Sequence, residues 1–556
     1  MHARKKVSRL LVLLLVGGLL CGNLVGCAQP SPTPSAPEPT AEAPEPTAEA
    51  PEPTAEAPEA TPVPPTPTEE PPAESELIIG WMASPAMLDP QESTTGIDFG
   101  VYENIYERLV HRDETDEIGP RLATSWEQID DTTWEFKLRE GVDFSNGEPF
   151  NGDTVKCTLE HLKDTHLASY FEIVSEVEVV DEYTVRLLTS KPDPLMIQRL
   201  SGYGGSMIPC SYLDEVGREE FAIEPVGTGP YELESWVRDG DLVLVRNEDY
   251  WGEPGPYDRV IFRPIPEASS RLAALETDEI DVMTMASPDQ IPQIEESGNV
   301  VRSVAVASSP FYGICSQSCS EPILLNQEFR QALNLAIDRQ GLVDQLYGGK
   351  FKVVNGFTIS TDFSYDPTMP PMEYDPERAR ELIEESGYQG ETIVVQGTNS
   401  SFILYDKQLN EAVAAMLEQV GITVDLQLME LAALDEYTLA DSHPGLYFGA
   451  ASSPMRDPTS HWFRHLRPGG FYDTGWSSSG SDTAEFMMDT MLAAESEMDP
   501  EKRAAMYQSV NKTLIEDPPW VLLFQMGLIY GVDPDLADWQ PRPDERVLIE
   551  EFAPPR

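Results

Sequence analysis

Basic side chains are scarce in this chain of 556 residues: 37 Lys and Arg stand against 96 Asp and Glu, a formal charge of −59. Recognition of a phosphate backbone needs clustered cations, so a general nucleic-acid binder is excluded, and broad adhesion to anionic lipid is opposed on the same ground. A long apolar run is missing too. The stretch Leu10 to Leu20 falls short of the ~20 residues a helix needs to cross a bilayer core. Catalytic signatures are equally wanting: there is no G-x-S-x-G elbow, no H-E-x-x-H pair and no phosphate loop. With 96 carboxylates, acidic pairs arise by number alone, so they carry no weight for a glycosidase, which needs two at a set separation. What the chain does have is a near-normal hydrophobic share of 40%, which excludes wholesale disorder, and a length beyond a single core.

The N-terminus reads as an export signal. Arg4, Lys5, Lys6 and Arg9 form a positive region ahead of Leu10 to Leu20, and Leu24-Val25-Gly26-Cys27 resembles a bacterial lipobox. Cys27 is the expected lipidated residue and mature N-terminus; Cys21, preceded by Leu20, fits less well. The alternatives are a plain secreted protein with ordinary cleavage and an uncleaved membrane anchor. Residues 1–26 are thus the expected signal peptide, and 27–76 the lipidated cysteine with a disordered tether. That tether repeats Ala-Pro-Glu-Pro-Thr-Ala-Glu from Ala36, Ala43 and Ala50, with too few large apolar residues to offset ordering entropy. Its prolines favour an extended spacer of ~3.1 Å per residue, with a reach on the order of 100 Å. Residues 1–26 hold four basic side chains and 28–76 eleven glutamates, so most of the negative charge belongs to the body.

Within the body, Cys157, Cys210, Cys315 and Cys319 are the remaining cysteines. An exported compartment permits disulfides, and Cys315 with Cys319 can pair locally; that bridge and free thiols both stay open, while two soft ligands do not make a zinc site. Strand and helix patterns alternate. Trp134, Phe136 and Leu138 mark a half-buried strand stopping at Gly141, and Thr184 to Leu187 another; Val155, Leu159 and Leu162 recur at helical spacing. Asp239-Gly240 predicts a hairpin between Tyr231–Val237 and Leu242–Arg246. Ala332, Leu333, Ala336, Ile337, Leu342, Val343 and Leu346 form one apolar helical face ending at Gly348-Gly349. Asp375-Pro376 and Asp499-Pro500 are helix starts, and Gly387 is a left-handed stop. The mixture suits an α/β or α+β protein.

Several segments in series then carry a family likeness. They include Leu88-Asp89-Pro90, Tyr102 to Val110, Pro120 to Glu127, Phe136 to Phe144 and Asp181 to Val185. Pro225-Val226-Gly227-Thr228-Gly229-Pro230-Tyr231 and Arg246 to Gly252 are the most specific, followed by Phe329 to Arg339, Tyr374 to Ala379 and Val420 to Val424. Along nearly its whole length the body resembles the family 5 extracellular solute-binding proteins of bacterial ABC importers. Most of these residues read as structural. Gly227 and Gly229 would supply permissive backbone angles, Asn247 to Gly252 would pack a loop, and Arg330 would be an ion-paired helix residue.

The resemblance implies an α/β, periplasmic-binding-protein-like two-lobed clamp (type II) with an extra domain inserted in the first lobe. By analogy lobe I comprises 77–109, 225–308 and 526–556, the inserted domain 110–224, and lobe II 309–525. It implies no catalysis and no cofactor. The expected partners are the transmembrane subunits of an ABC permease, a peptide or small-molecule ligand, and the membrane through the N-terminal lipid, on the extracytoplasmic face. Peptide is the leading solute because it is common in the family; a nickel or metal complex, an oligosaccharide, and from other classes an extracellular hydrolase or an adhesion lipoprotein, are the alternatives.

The chain departs from peptide receptors at two positions. Their amine-binding aspartate falls at Pro454, and the arginine for a dipeptide carboxylate falls at Ser400. The ligand contacts implied by segment resemblance are Thr95, Phe402, Met455, Arg456, Asp457 and Trp476, with Asp457→Ala or Trp476→Ala expected to weaken binding while leaving the fold intact. His461 and His465 lie four apart, an i,i+4 arrangement that serves metal sites on helices, with His443 upstream; a solvated or partly buried face is the plainer reading. Phe471, Tyr472 and Trp476, beside Gly469-Gly470, would stack on a sugar, wall a cleft or pack in a core.

Overall fold

The computed structural model describes residues 75–555, except 94, 114, 166, 316–319, 400–402, 440–442, 454, 460–464 and 469–474. The signal peptide, Cys27, the tether through residue 74, Phe402, His461, Phe471 and Tyr472 therefore lie outside the described residues, as do Ser400, Pro454 and Cys319; Ser75 and Glu76, expected at the end of the tether, are described, and Glu76 opens a strand. Among the described residues no helix is long and apolar enough to cross a membrane.

Three sheets organise the body, each with its own apolar core. The largest has seven strands, in the order Val300–Ala305, Gly527–Val532, Val282–Met283, Glu76–Trp81, Arg259–Pro264, Leu242–Arg246 and Tyr231–Trp236. Glu76–Trp81 lies parallel to Arg259–Pro264 and to Val282–Met283, so the first described strand sits mid-sheet. The five-stranded sheet runs Thr423–Met429, Thr392–Thr398, Leu446–Ser452, Ser308–Ile314 and Trp520–Leu522, and its core is the most extensive. A four-stranded antiparallel sheet, Ala123–Asp130, Thr133–Leu138, Thr184–Thr189 and Val174–Asp181, is covered by helix Gly152–Leu162.

Two chain crossings join the seven- and five-stranded bodies, Ala305 to Ser308 and Gln525 to Gly527, and they hydrogen-bond to one another. Val306 N donates to Met526 O and Met526 N to Ser308 O, both at 2.9 Å. The link is a two-stranded antiparallel ribbon.

Local signals account for many elements. Asp239 adopts φ 60° at the turn joining Tyr231–Trp236 to Leu242–Arg246. Asp375 accepts from Arg378 N to start helix Pro376–Glu385, and Asp499 accepts from Glu501 N and Lys502 N to start Pro500–Glu516. Gly387 takes φ 82°. The single apolar helical face between 332 and 346 proves to be two helices, Gln327–Leu335 and Arg339–Tyr347. Asp338 stops the first by capping the second, its carboxylate accepting from Gly341 N. Gly227 and Gly229 are required for close approach rather than for permissive angles: a Cβ there would sit 1.9 Å and 2.6 Å from the Ile105 carbonyl oxygen. Arg330 pairs with Asp517, and Trp251 Nε1 and Tyr250 OH both donate to Glu107, so that loop packs internally.

The sequence assigned no partner to Cys157 or Cys210, and the structure supplies one without displacing the local bridge considered for Cys315. Cys157 on helix Gly152–Leu162 is bonded to Cys210 at the start of helix Cys210–Val216, and Cys315 is itself disulfide-bonded.

Candidate functional site

A cavity of about 710 Å³ opens where the three bodies meet. Its walls come from distant parts of the chain. Val304 and Ala305, at the end of their strand, approach it from the seven-stranded body. The short hairpin Val110–Arg112/Ile118–Pro120 supplies Arg112, Asp116 and Ile118, and helix Met196–Leu200 supplies Ile197 and Gln198. From the five-stranded body come Lys352, Ser360, Thr361 and Phe363, with Met455 and Arg456 from the loop after Leu446–Ser452.

Arg456 is the joint between bodies. Its Nε donates to Asp116 Oδ2 at 2.6 Å, across to the hairpin. Its backbone sits at φ 55°, a left-handed conformation that costs a non-glycine residue roughly 1–2 kcal/mol. Two bonds impose that shape: Arg456 N to Ser453 O and Phe363 N to Arg456 O, each 3.0 Å. Arg112 Nη1 donates to the Asp116 carbonyl at 3.1 Å and lies 3.8 Å from its carboxylate. Burial lowers the Arg112 pKa to about 10, against the pull of Asp116, and the neighbouring cations Arg456 and Arg546 act in the same direction as burial. Two further contacts tie the five-stranded body to the others: Tyr405 OH donates to Asp289, and Lys191 Nζ meets Glu495 at 2.7 Å.

The residues expected from sequence are dispersed. Met455 and Arg456 line the cavity. Thr95 is exposed and caps helix Gly96–Tyr102, accepting from Asp98 N. Asp457 turns inward: it is 1% exposed, with Arg503 Nη1 at 2.7 Å and Thr459 N donating to it at 2.9 Å. Burial raises its carboxyl pKa, with Arg503 opposing. Trp476 is 3% exposed within the core of the five-stranded body. Neither Asp457 nor Trp476 is among the described lining residues, so Asp457→Ala or Trp476→Ala would disturb the fold, contrary to the expectation from sequence. His465 is 1% exposed and meets Phe311 edge-on at 4.9 Å, a core position. Among the described residues no group of three or more His, Cys, Asp or Glu could hold a metal ion.

Arg112, Asp116, Gln198, Lys352 and Thr361 were not expected. Each stands in a segment with no chemical motif of its own, and only the meeting of three bodies gives them a common space.

Residues 117–473 match the family model described as bacterial extracellular solute-binding proteins, family 5 Middle. The chain is 26% identical over 494 residues to the glutathione-binding protein GsiB of Escherichia coli O1:K1 / APEC, covering 86% of this chain and 94% of that protein. Among solved structures it is similar to NikA from Brucella suis, crystallised with Fe(III)-EDTA, at TM-score 0.77 and 23% identity, covering 86% of this chain and all of the other. DppA from Helicobacter pylori, in complex with the peptide STSA, aligns at TM-score 0.70 and 24% identity over 86% and 98% of the two chains.

Proposed function

This chain belongs to the family 5 bacterial extracellular solute-binding proteins, and from that premise we propose that it captures a peptide-like solute and delivers it to an ABC permease. The fold is α/β, a two-lobed clamp of periplasmic-binding-protein type with an extra domain inserted in the first lobe. As a solute-binding protein of ABC importers it is a receptor and not an enzyme.

The observation that carries the reading is the 710 Å³ cavity between bodies joined by a two-stranded ribbon. That volume lies within the range of sites that enclose small ligands. A ribbon of two strands confines bending to the dihedrals of a few residues, which is how hinge closure is absorbed in binders of this kind. Solute must favour the shut form over the open one, since only differential affinity moves the population. Lobe I would comprise 77–109, 225–308 and 526–556, lobe II 309–525, and the inserted domain 110–224; the strand membership of the three sheets supports this division. Met455 and Arg456 are the contacts retained from the sequence reading, with Phe402 and Thr95 kept as candidates. Peptide is favoured by relatives named for glutathione and crystallised with STSA. The lipobox ending at Cys27 supports anchorage to the membrane by lipid.

Small-angle scattering of the mature chain, with and without glutathione or the peptide Ser-Thr-Ser-Ala, tests capture. The expected result is ligand-dependent compaction with the solute recovered unchanged. Turnover of the solute, or no compaction with any member of a broad panel of peptides, metal chelates and sugars, would sink it. Cys27→Ser should abolish incorporation of labelled fatty acid and release the protein from membranes.

A further inference from the structure

The cavity wall is cationic in a chain that is overwhelmingly acidic. Its charged lining residues are Arg112, Arg456 and Lys352 against one carboxylate, Asp116. Surface composition at −59 would have produced the reverse. The excess is not a consequence of missing anions nearby: Asp544 lies close behind but is engaged by Arg542 at 2.9 Å and Arg546 at 3.4 Å. Glu545 also faces Arg456, and burial holds its carboxyl above the usual range despite that arginine.

The hydrogen-bond inventory points the same way. Nη2 of Arg112 and Nη2 of Arg456 are buried with no hydrogen-bond partner among the described residues, and so is Oγ1 of Thr361. Arg112 and Arg456 are 5% and 6% exposed, so bulk water does not serve these groups. Gln198 Oε1 is likewise buried without a partner. Asp116 Oδ1 is a fifth; a native interior leaves few polar atoms unpaired, and five on the residues of one cavity is a concentration that needs an occupant. Three of the five belong to groups that can donate to an anion, and the other two, on Gln198 and Asp116, are acceptors. Beside them stand Trp126, Phe363 and Met455, which offer an apolar wall.

We propose that the captured solute carries an oxyanion, a carboxylate or a phosphate, which seats between Arg112 and Arg456 with Thr361 donating and Lys352 at the rim, while an apolar or aromatic portion lies against Trp126, Phe363 and Met455. Asp116 then acts as an internal competitor. It holds Arg456 through Nε and leaves the buried Nη2 unpaired. Guanidinium–oxyanion bonds in a dry site are charge-assisted and about twice as strong as neutral ones. The positive lining would also attract an anion that the outer surface repels. This inference rests on the capture reading above and specifies the chemistry of its ligand.

Calorimetry on the full chain provides the test. The probes are glutathione, Ser-Thr-Ser-Ala, their fully amidated forms, inorganic phosphate, and a neutral disaccharide. Free acids should bind roughly tenfold or more tightly than their amides. Arg456→Gln should erase that preference, and Lys352→Gln, at an exposed position that the fold does not need, should weaken the acid form several-fold and leave the amide unchanged. Asp116→Asn should do the opposite and tighten the acid form, an outcome that mere misfolding cannot produce. Binding of phosphate alone would identify a phosphorylated solute and still support the oxyanion. Equal affinity for acids and amides, with compaction on binding, overturns the oxyanion and leaves capture standing, as does binding confined to the disaccharide. No binding and no compaction with any probe counts against both.

Discussion

Arg456 and Asp457 are neighbours in sequence and part company in space. The first faces the cavity, while the second is locked to Arg503, whose guanidinium lies 5.1 Å from the Phe363 ring and 5.3 Å from that of Tyr507. Removing one member of a buried pair strands the other, at a cost of about 3–5 kcal/mol. Asp457→Ala is therefore expected to lose stability on that scale in urea denaturation, and Arg503→Met to lose comparably. A loss below about 1 kcal/mol for both would show that the pair is solvated. Charge burial also gives a pH signature at His443, which packs flat on Tyr447 at 3.9 Å and bonds Gln396 at 2.8 Å. Burial lowers its pKa from 6.5 to about 4. The folded state thus prefers the neutral ring, so its contribution is complete above pH 6.5 and is lost as pH falls through about 4. The loss should reach up to about 3 kcal/mol, and it should be smaller in His443→Gln when unfolding midpoints are compared between neutral and acid pH. An identical pH response in the two proteins would assign the loss to other groups.

At the scale of elements, local chemistry was legible wherever one residue decides the outcome. Asp375-Pro376 and Asp499-Pro500 start helices because a short carboxylate satisfies free N–H groups and proline lacks one. Asp239 at positive φ turns a hairpin for equally local reasons. Periodicity misled at 327–347, where continuous apolar spacing hid a break that a single cap at Asp338 enforces. Of the lining of the candidate cavity, the sequence singled out only Met455 and Arg456. All four residues are buried, and only tertiary packing sets Met455 and Arg456 on the cavity, Asp457 against Arg503 and Trp476 in the core of the five-stranded body. The Cys157–Cys210 bond was invisible because the two lie 53 positions apart and no spacing rule joins them. That separation makes it worth up to about 4 kcal/mol in denatured-state entropy. Cys157→Ser with Cys210→Ser should lower stability by roughly 2–4 kcal/mol, with helix Gly152–Leu162 losing amide protection first. Equal denaturation curves with and without reductant would mean that the bond adds nothing.

For the whole molecule, salt should act in two opposite directions. A chain at −59 repels itself when compact, and screening relieves that repulsion. Raising ionic strength from about 0.02 M to about 0.5 M shortens the Debye length from roughly 20 Å to below 5 Å, enough to uncouple carboxylates on neighbouring elements. The unfolding midpoint of the unliganded protein should therefore rise with sodium chloride. Capture should respond the other way, because the same ions screen the three cations of the cavity from an incoming oxyanion. Affinity for glutathione or Ser-Thr-Ser-Ala should fall several-fold over the same range, mainly through a slower association rate, while Lys352→Gln should flatten the dependence. A mere loosening of the fold cannot produce both trends together, since salt would then stabilise the protein and its binding alike. Thermal unfolding and stopped-flow association across one salt series read the two effects independently, and a binding rate that rises with salt would remove the cationic cavity as the feature that draws the ligand in.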